Sequence, residues 1–136
     1  MAIEKEKLVK DWFAAWNSRD AEKISRFYTD DGIFDQVPTG KISRGKSELI
    51  ATFTSIFIDY PDLTCEQKAT FYSPNAVCGE FVMSGTHARS GDPRDPASGK
   101  HISIRVGYIV ELQENKFKRH TDYFDRLTIG QQLGTI

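Results

Sequence analysis

Between Glu4 and Asn17 the apolar residues Leu8, Val9, Trp12, Phe13 and Trp16 recur at helical spacing opposite Lys7, Lys10 and Asp11. That pattern predicts an amphipathic helix whose buried face is largely aromatic. After Ser18-Arg19, Asp20 is placed to cap a short second helix with Ile24, Phe27 and Tyr28 turned inward. Thr29-Asp30-Asp31-Gly32 reads as a turn into a strand over Ile33–Val37, which ends at Pro38-Thr39-Gly40. Leu49, Ile50, Phe53, Ile56 and Phe57 predict a third helix from about Lys46 to Asp59. It stops at Tyr60-Pro61 because proline disfavours helical geometry in the residue before it.

From Leu63 onward the period drops to two. Leu63, Cys65, Gln67, Ala69 and Phe71 form one face of a strand, Ser73-Pro74-Asn75 is a turn, and Val77 to His87 is a second strand. Arg89 to Gly99, with Gly91, Pro93, Pro96 and Gly99, reads as a long loop. His101 to Leu112 alternates most clearly, with Ile102, Ile104, Val106, Tyr108, Val110 and Leu112 against His101, Ser103, Arg105, Gly107 and Glu111. Glu114-Asn115 turns into a last strand, Phe117 to Phe124, and Asp125 is placed to cap a short terminal helix ending near Gly134. Helix, helix, strand, helix and then four strands, without repeat or linker, predict one α+β domain over residues 1–136, its helices on one side of a mostly antiparallel sheet. The missing strand-helix alternation argues against a doubly wound fold.

Composition narrows the function more than the fold. A chain that is 39% hydrophobic and 12% aromatic is too rich in large apolar side chains to be disordered. Eighteen basic residues against nineteen acidic ones, without long blocks of one sign, disfavour nucleic acid as a partner, because phosphate binding rests on clustered cations. Cys65 and Cys78 lack metal or redox spacing and read as small buried hydrophobes. The charged start, Met1 to Lys7, lacks the apolar core of a signal peptide, and no apolar run approaches the roughly 20 residues of a membrane span, so the cytoplasm is the expected location.

Strand alternation assigns faces. Phe81, Met83, Gly85 and His87 share one, and His120, Asp122 and Phe124 share another, which turns Asp122 and His120 toward the core. A carboxylate in apolar surroundings is costly unless paired, hydrogen-bonded or protonated, and with His120 and His87 nearby it would supply general acid-base chemistry. The bland alternative for Asp122 is a core carboxylate bonded to a buried tyrosine or to backbone, and for His87 a histidine at a strand end under a loop. His101 falls on the polar face, Asp125 at a helix cap, and Asp30, Asp31 and Asp92 in turns. Asp35 and Gln36 are adjacent on the first strand, and pattern alone leaves open which faces inward. No cluster of His, Cys and carboxylates has ligand spacing, so no metal is expected.

Gly85-Thr86-His87, Gly99-Lys100 opening a strand, Asp122-Tyr123-Phe124-Asp125 and Gln132-Leu133-Gly134, in that order, resemble the C-terminal pattern of SnoaL-like polyketide cyclases, within the nuclear-transport-factor-like superfamily. The resemblance implies a cone of three N-terminal helices packed on a curved sheet with a short C-terminal helix, a pocket for a small apolar organic molecule, and a homodimer through the outer sheet face. For the cyclases it also implies an acid-base aspartate without metal or cofactor, matched here to Asp122, and a pocket histidine matched to His87. Tyr108, Gln36, Phe34, Phe81, Met83 and Trp16 are the expected substrate-binding positions, with Tyr108 or Gln36 donating to an enolate oxygen. Thr121 stands where the family often has Trp, and Phe81 and Met83 replace the Arg and Asp that epoxide hydrolases of this fold need. Two functions fit: a cyclase or isomerase moving a proton alpha to a carbonyl, or a binding protein in which Asp122 only anchors an apolar ligand.

Overall fold

The computed structural model describes residues 2–89 and 98–135. The first helix, α1 (Ala2–Ser18), buries Val9, Trp12, Phe13 and Trp16, the face that its periodicity marks. Asp20 caps α2 (Ala21–Ser25) by accepting from the Lys23 backbone N–H at 3.1 Å. α3 (Gly45–Asp59) buries Leu49 and Phe53, and α4 (Arg126–Leu133) starts on an Asp125 cap. Phe27 and Tyr28 lie beyond α2 rather than on its inner face, and Tyr28 instead opens the first strand, almost wholly buried.

The strands are β1 (Tyr28–Gln36), β2 (Lys41–Arg44), β3 (Thr64–Tyr72), β4 (Ala76–Thr86), β5 (His101–Gln113) and β6 (Lys116–Tyr123). They form one curved sheet in the order β2-β1-β6-β5-β4-β3, antiparallel throughout except for the parallel pair β1–β6. The architecture is therefore α+β, with four helices on a mixed sheet whose β1 sits beside the last strand. The expected loop at Arg89–Gly99 falls mostly on residues 90–97, which lie outside the described residues, as does Asp92.

Three strand features depart from the periodic reading. Thr29 to Gly32 belong to β1, not to a turn. The pairing with β6 slips between Tyr28 and Ile33, and a Cβ on Gly32 would come within 3.0 Å of Thr29 O and Tyr28 Cβ, so this polar stretch is a tight bulge rather than a reversal. β1 ends at Gln36, and Val37–Thr39 form a single 3₁₀ turn into β2, a four-residue strand too short to show alternation. Lys68 is an extra residue on β3: Gln67 pairs with Phe81 and Ala69 with Glu80. Beyond it the faces exchange, so Phe71 points outward at 64% exposure and Tyr72 packs against the core.

Two side-chain amides take the place of a missing neighbouring strand. Asn17, at the end of α1, accepts from Cys65 N at 2.7 Å and donates to Cys65 O at 3.0 Å, while Arg19 donates to Leu63 O at 3.0 Å. Gln132 in α4 accepts from Ser103 N at 2.7 Å and donates to Ser103 O at 2.8 Å, on the part of β5 that extends past the end of β6. The first amide fixes α1 and its aromatic face across the sheet, and the second holds α4 against β5. Backbone donors and acceptors left without partners would otherwise be costly at these places.

Candidate active site in the sheet concavity

Register turns strand alternation into rows that cross the sheet. On the inner face one row runs Gly79, Tyr108, Asp122, Gln36, and the next runs Val77, Val110, His120, Phe34. The row beyond Tyr108 pairs Phe81 with Val106, and the one after it pairs Met83 with Ile104. Over these rows lie Trp12, Phe13 and Trp16 of α1. Between the layers is a cavity of about 190 Å³ with Gln36, His120 and Asp122 as polar groups on its sheet wall. Trp16, Phe34, Phe81 and Met83 line it as well, and Thr39, Asp59, Phe124, Arg126 and Ile129 are among the other lining residues.

Asp122 is almost buried, and its Oδ1 lies 2.6 Å from His120 Nε2. The other imidazole nitrogen, Nδ1, lies 2.8 Å from the hydroxyl of Tyr28. His120 is 1% exposed, with Phe34 stacked on its ring at 4.4 Å and Trp12 edge-on at 5.0 Å. A buried polar chain of tyrosine, histidine and carboxylate thus ends on the cavity. Asp122 Oδ2 has no hydrogen-bond partner among the described residues.

Nearby acids respond to burial and to this charge. Burial raises the Tyr28 phenol well above its ordinary value and the Asp122 charge adds to the effect, while the nearby indole N–H of Trp12, outside hydrogen-bond geometry, opposes it. Burial, then the same charge, pushes the Cys65 thiol up to about 12. The Tyr108 phenol rises to about 12, chiefly through burial.

Not every expected residue reaches the cavity. Tyr108 is buried beneath Trp12 and Phe13, its hydroxyl directed at Gly79, and it does not line the space. His87 follows the last residue of β4 and is also buried outside the lining. Its ring faces Tyr60 at 5.3 Å, and its backbone bonds to Lys100 O and Gly99 N. Gln36 faces inward beside Asp122, and Asp35 faces outward, bonded to Arg119 at 2.7 Å. Tyr28 is the site residue that sequence periodicity missed, because its partner stands 92 positions away. Among the described residues, no group of three His, Cys, Asp or Glu side chains is placed to hold a metal, and no helix is long and apolar enough to cross a membrane.

The model of the SnoaL-like polyketide cyclase family matches residues 6–133. Among solved structures, TsrD from Streptomyces laurentii is 20% identical, with a TM-score of 0.86, over 100% of this chain and 98% of that one. AclR, a candidate hydroxylase from Streptomyces galilaeus, is 18% identical with a TM-score of 0.84, over 100% and 99%. A candidate polyketide cyclase from Xanthomonas campestris is 17% identical with a TM-score of 0.84, over 94% and 95%. At these identities the structures establish the shared fold. Among curated proteins none matches significantly.

Proposed function

This chain belongs to the SnoaL-like polyketide cyclase family, and from that premise we propose that it is a cofactor-independent cyclase or isomerase in which Asp122 moves a proton alpha to a carbonyl of a small apolar organic molecule. The observation that carries this reading is the placement of Asp122 on the cavity wall. One of its oxygens is bound to His120, the other is without a protein partner among the described residues, and Gln36 stands beside it in register. Oδ2 takes the alpha proton, and the C–H electron pair becomes the double bond of an enolate. The amide of Gln36 donates to the enolate oxygen. In a cyclase the enolate carbon then attacks a second carbonyl of the same molecule, a C–C bond forms, and Asp122 returns its proton to the new alkoxide. Proton transfer and hydrogen bonding suffice for each step. The aromatic wall of Trp12, Phe13, Trp16 and Phe81 suits a flat, apolar substrate. His87 and Tyr108 lie outside the cavity lining, and this reading gives them no role in the chemistry.

The test pairs binding with turnover on one probe, an aromatic β-keto ester carrying a second carbonyl able to close a ring. Asp122→Asn keeps the shape of the side chain but cannot accept the proton. Turnover is expected to fall by about 10²–10⁴-fold while tryptophan-quenching affinity persists. Unchanged turnover would move the base elsewhere. Binding without any turnover in the wild type would favour the second reading, a non-catalytic binder of apolar ligands, to which the mostly aromatic and aliphatic lining also lends itself.

We also propose that the outer sheet face joins two copies of the chain. Phe71, Cys78, Ile109, Thr121, Asp35 and Ile42 form one row across all six strands, and Phe71, Ile109 and Ile42 are large exposed apolar side chains within it.

A further inference from the structure

Asp122 is one end of a chain whose far end, Tyr28, does not line the cavity. Two bonds in series, 2.8 Å from Tyr28 to Nδ1 and 2.6 Å from Nε2 to Asp122, leave the imidazole few ways to distribute its protons. A neutral histidine carries one N–H and one acceptor, and each of its nitrogens here faces a fixed partner. The hydroxyl hydrogen of Tyr28 has no acceptor other than His120 Nδ1 among the described residues, and the phenol ring is otherwise walled by Phe53 and Phe117.

We propose that Tyr28 is a positioning residue: it donates to Nδ1 and, with the Asp122 carboxylate accepting from Nε2–H, holds His120 in one tautomer and one orientation, which leaves Oδ2 to act in the cavity. This rests on the reading of Asp122 as the proton acceptor. It follows from counting donors. If Nδ1 carried the proton and donated to Tyr28, the phenol O–H would be buried without an acceptor, and Nε2 could meet Asp122 only if the carboxyl were protonated, which removes the base. A doubly protonated ring would strand the phenol hydrogen in the same way. Only the Nε2–H arrangement satisfies every donor in the chain, and an unmade buried hydrogen bond is expensive. The elevated pKa of Tyr28 is consistent, because burial keeps the phenol protonated and able to donate.

The scaffold holds Tyr28 at both ends. Lys46 Nζ donates to Tyr28 O at 2.8 Å and to Ser25 O at 2.6 Å, which fixes the corner between α2 and β1. The bulge at residues 29–32 lets β1 begin at Tyr28, paired with Phe117, and still bring Phe34 and Gln36 into register with His120 and Asp122.

Nitrogen-15 NMR reads the tautomer without a substrate. The protein has three histidines, so His87→Gln and His101→Gln assign the His120 signals. In the wild type at neutral pH, long-range ¹H–¹⁵N correlations should show a protonated Nε2 and a bare, hydrogen-bonded Nδ1. Tyr28→Phe keeps the ring and removes the donor, and the Nδ1 resonance should then move from its hydrogen-bonded position to that of a nitrogen without a hydrogen bond while Nε2 stays protonated against Asp122. A wild-type ring that is cationic or protonated on Nδ1, or an Nδ1 resonance unmoved by Tyr28→Phe, would overturn the proposal, and the wild-type spectrum decides even if the variant does not fold. With the β-keto ester, Tyr28→Phe should lower kcat by up to about 10²-fold with KM little changed, the cost of a displaced base. A shifted Nδ1 resonance in Tyr28→Phe combined with full activity in Asp122→Asn would leave the positioning intact and refute only the assignment of the base.

Discussion

Cys65, Tyr108 and Tyr28 are acids that the fold keeps protonated, and their burial makes stability sensitive to alkali. In the unfolded chain Cys65 ionises near its ordinary 9.0 and Tyr108 near 10.0, whereas in the folded state both rise to about 12, and Tyr28 rises as well. The native state therefore holds more protons in this window, and stability must fall as pH rises. The contribution is complete below about pH 9 and is lost progressively up to about pH 12. Urea midpoints measured across that range should decline, and the decline should be shallower in a Cys65→Ala, Tyr108→Phe double variant. Identical slopes would show that these two groups do not govern the response. Single residues differed in how legible they were. His120 and Asp122 could be turned inward from the sequence because they lie two apart on a strand. Asp35 and Gln36 could not be separated until the pairing of β1 with β6 placed Gln36 beside Asp122. Tyr28 could be turned inward from its spacing after Ile24, but neither its place at the start of β1 nor its partner was legible, since a hydrogen bond across 92 positions leaves no mark on periodicity.

At the level of elements, α1, α3 and β5 are readable because each repeats its period several times, and α2 and α4 because Asp20 and Asp125 mark where they start. β2 has four residues and β3 hides a bulge, and both defeat a reading that depends on repetition. The bulge also decides what the sheet shows to the outside. By turning Phe71 outward it places a large apolar side chain beside Cys78 and Ile109 in the outer row. If that row is the contact between two copies, Ile109→Arg near its middle should convert a dimer to a monomer in sedimentation velocity at micromolar concentration. The circular dichroism spectrum should not change, because Ile109 points away from the core. A monomeric wild type under the same conditions would remove the dimer proposal.

For the molecule as a whole, the switch from helical to strand period was enough for α+β, but strand order was not in reach, because nothing local says that β1 lies beside β6. That parallel pairing is also a matter of timing. β3, β4, β5 and β6 meet sequential neighbours through short or moderate connections, whereas joining Tyr28 to His120 closes a loop of 92 positions. Closing a longer loop costs more chain entropy, and contacts of large sequence separation slow folding. In pulse-labelled hydrogen exchange the amides of β4 and β5 should gain protection before those of Phe34 to Gln36, and simultaneous protection would contradict this order. During refolding the sheet would then exist for a time before Asp122 has Gln36 beside it or His120 has Tyr28 behind it. Recovery of activity would trail recovery of structure, and the lag would measure how long the chain takes to bring its first strand home.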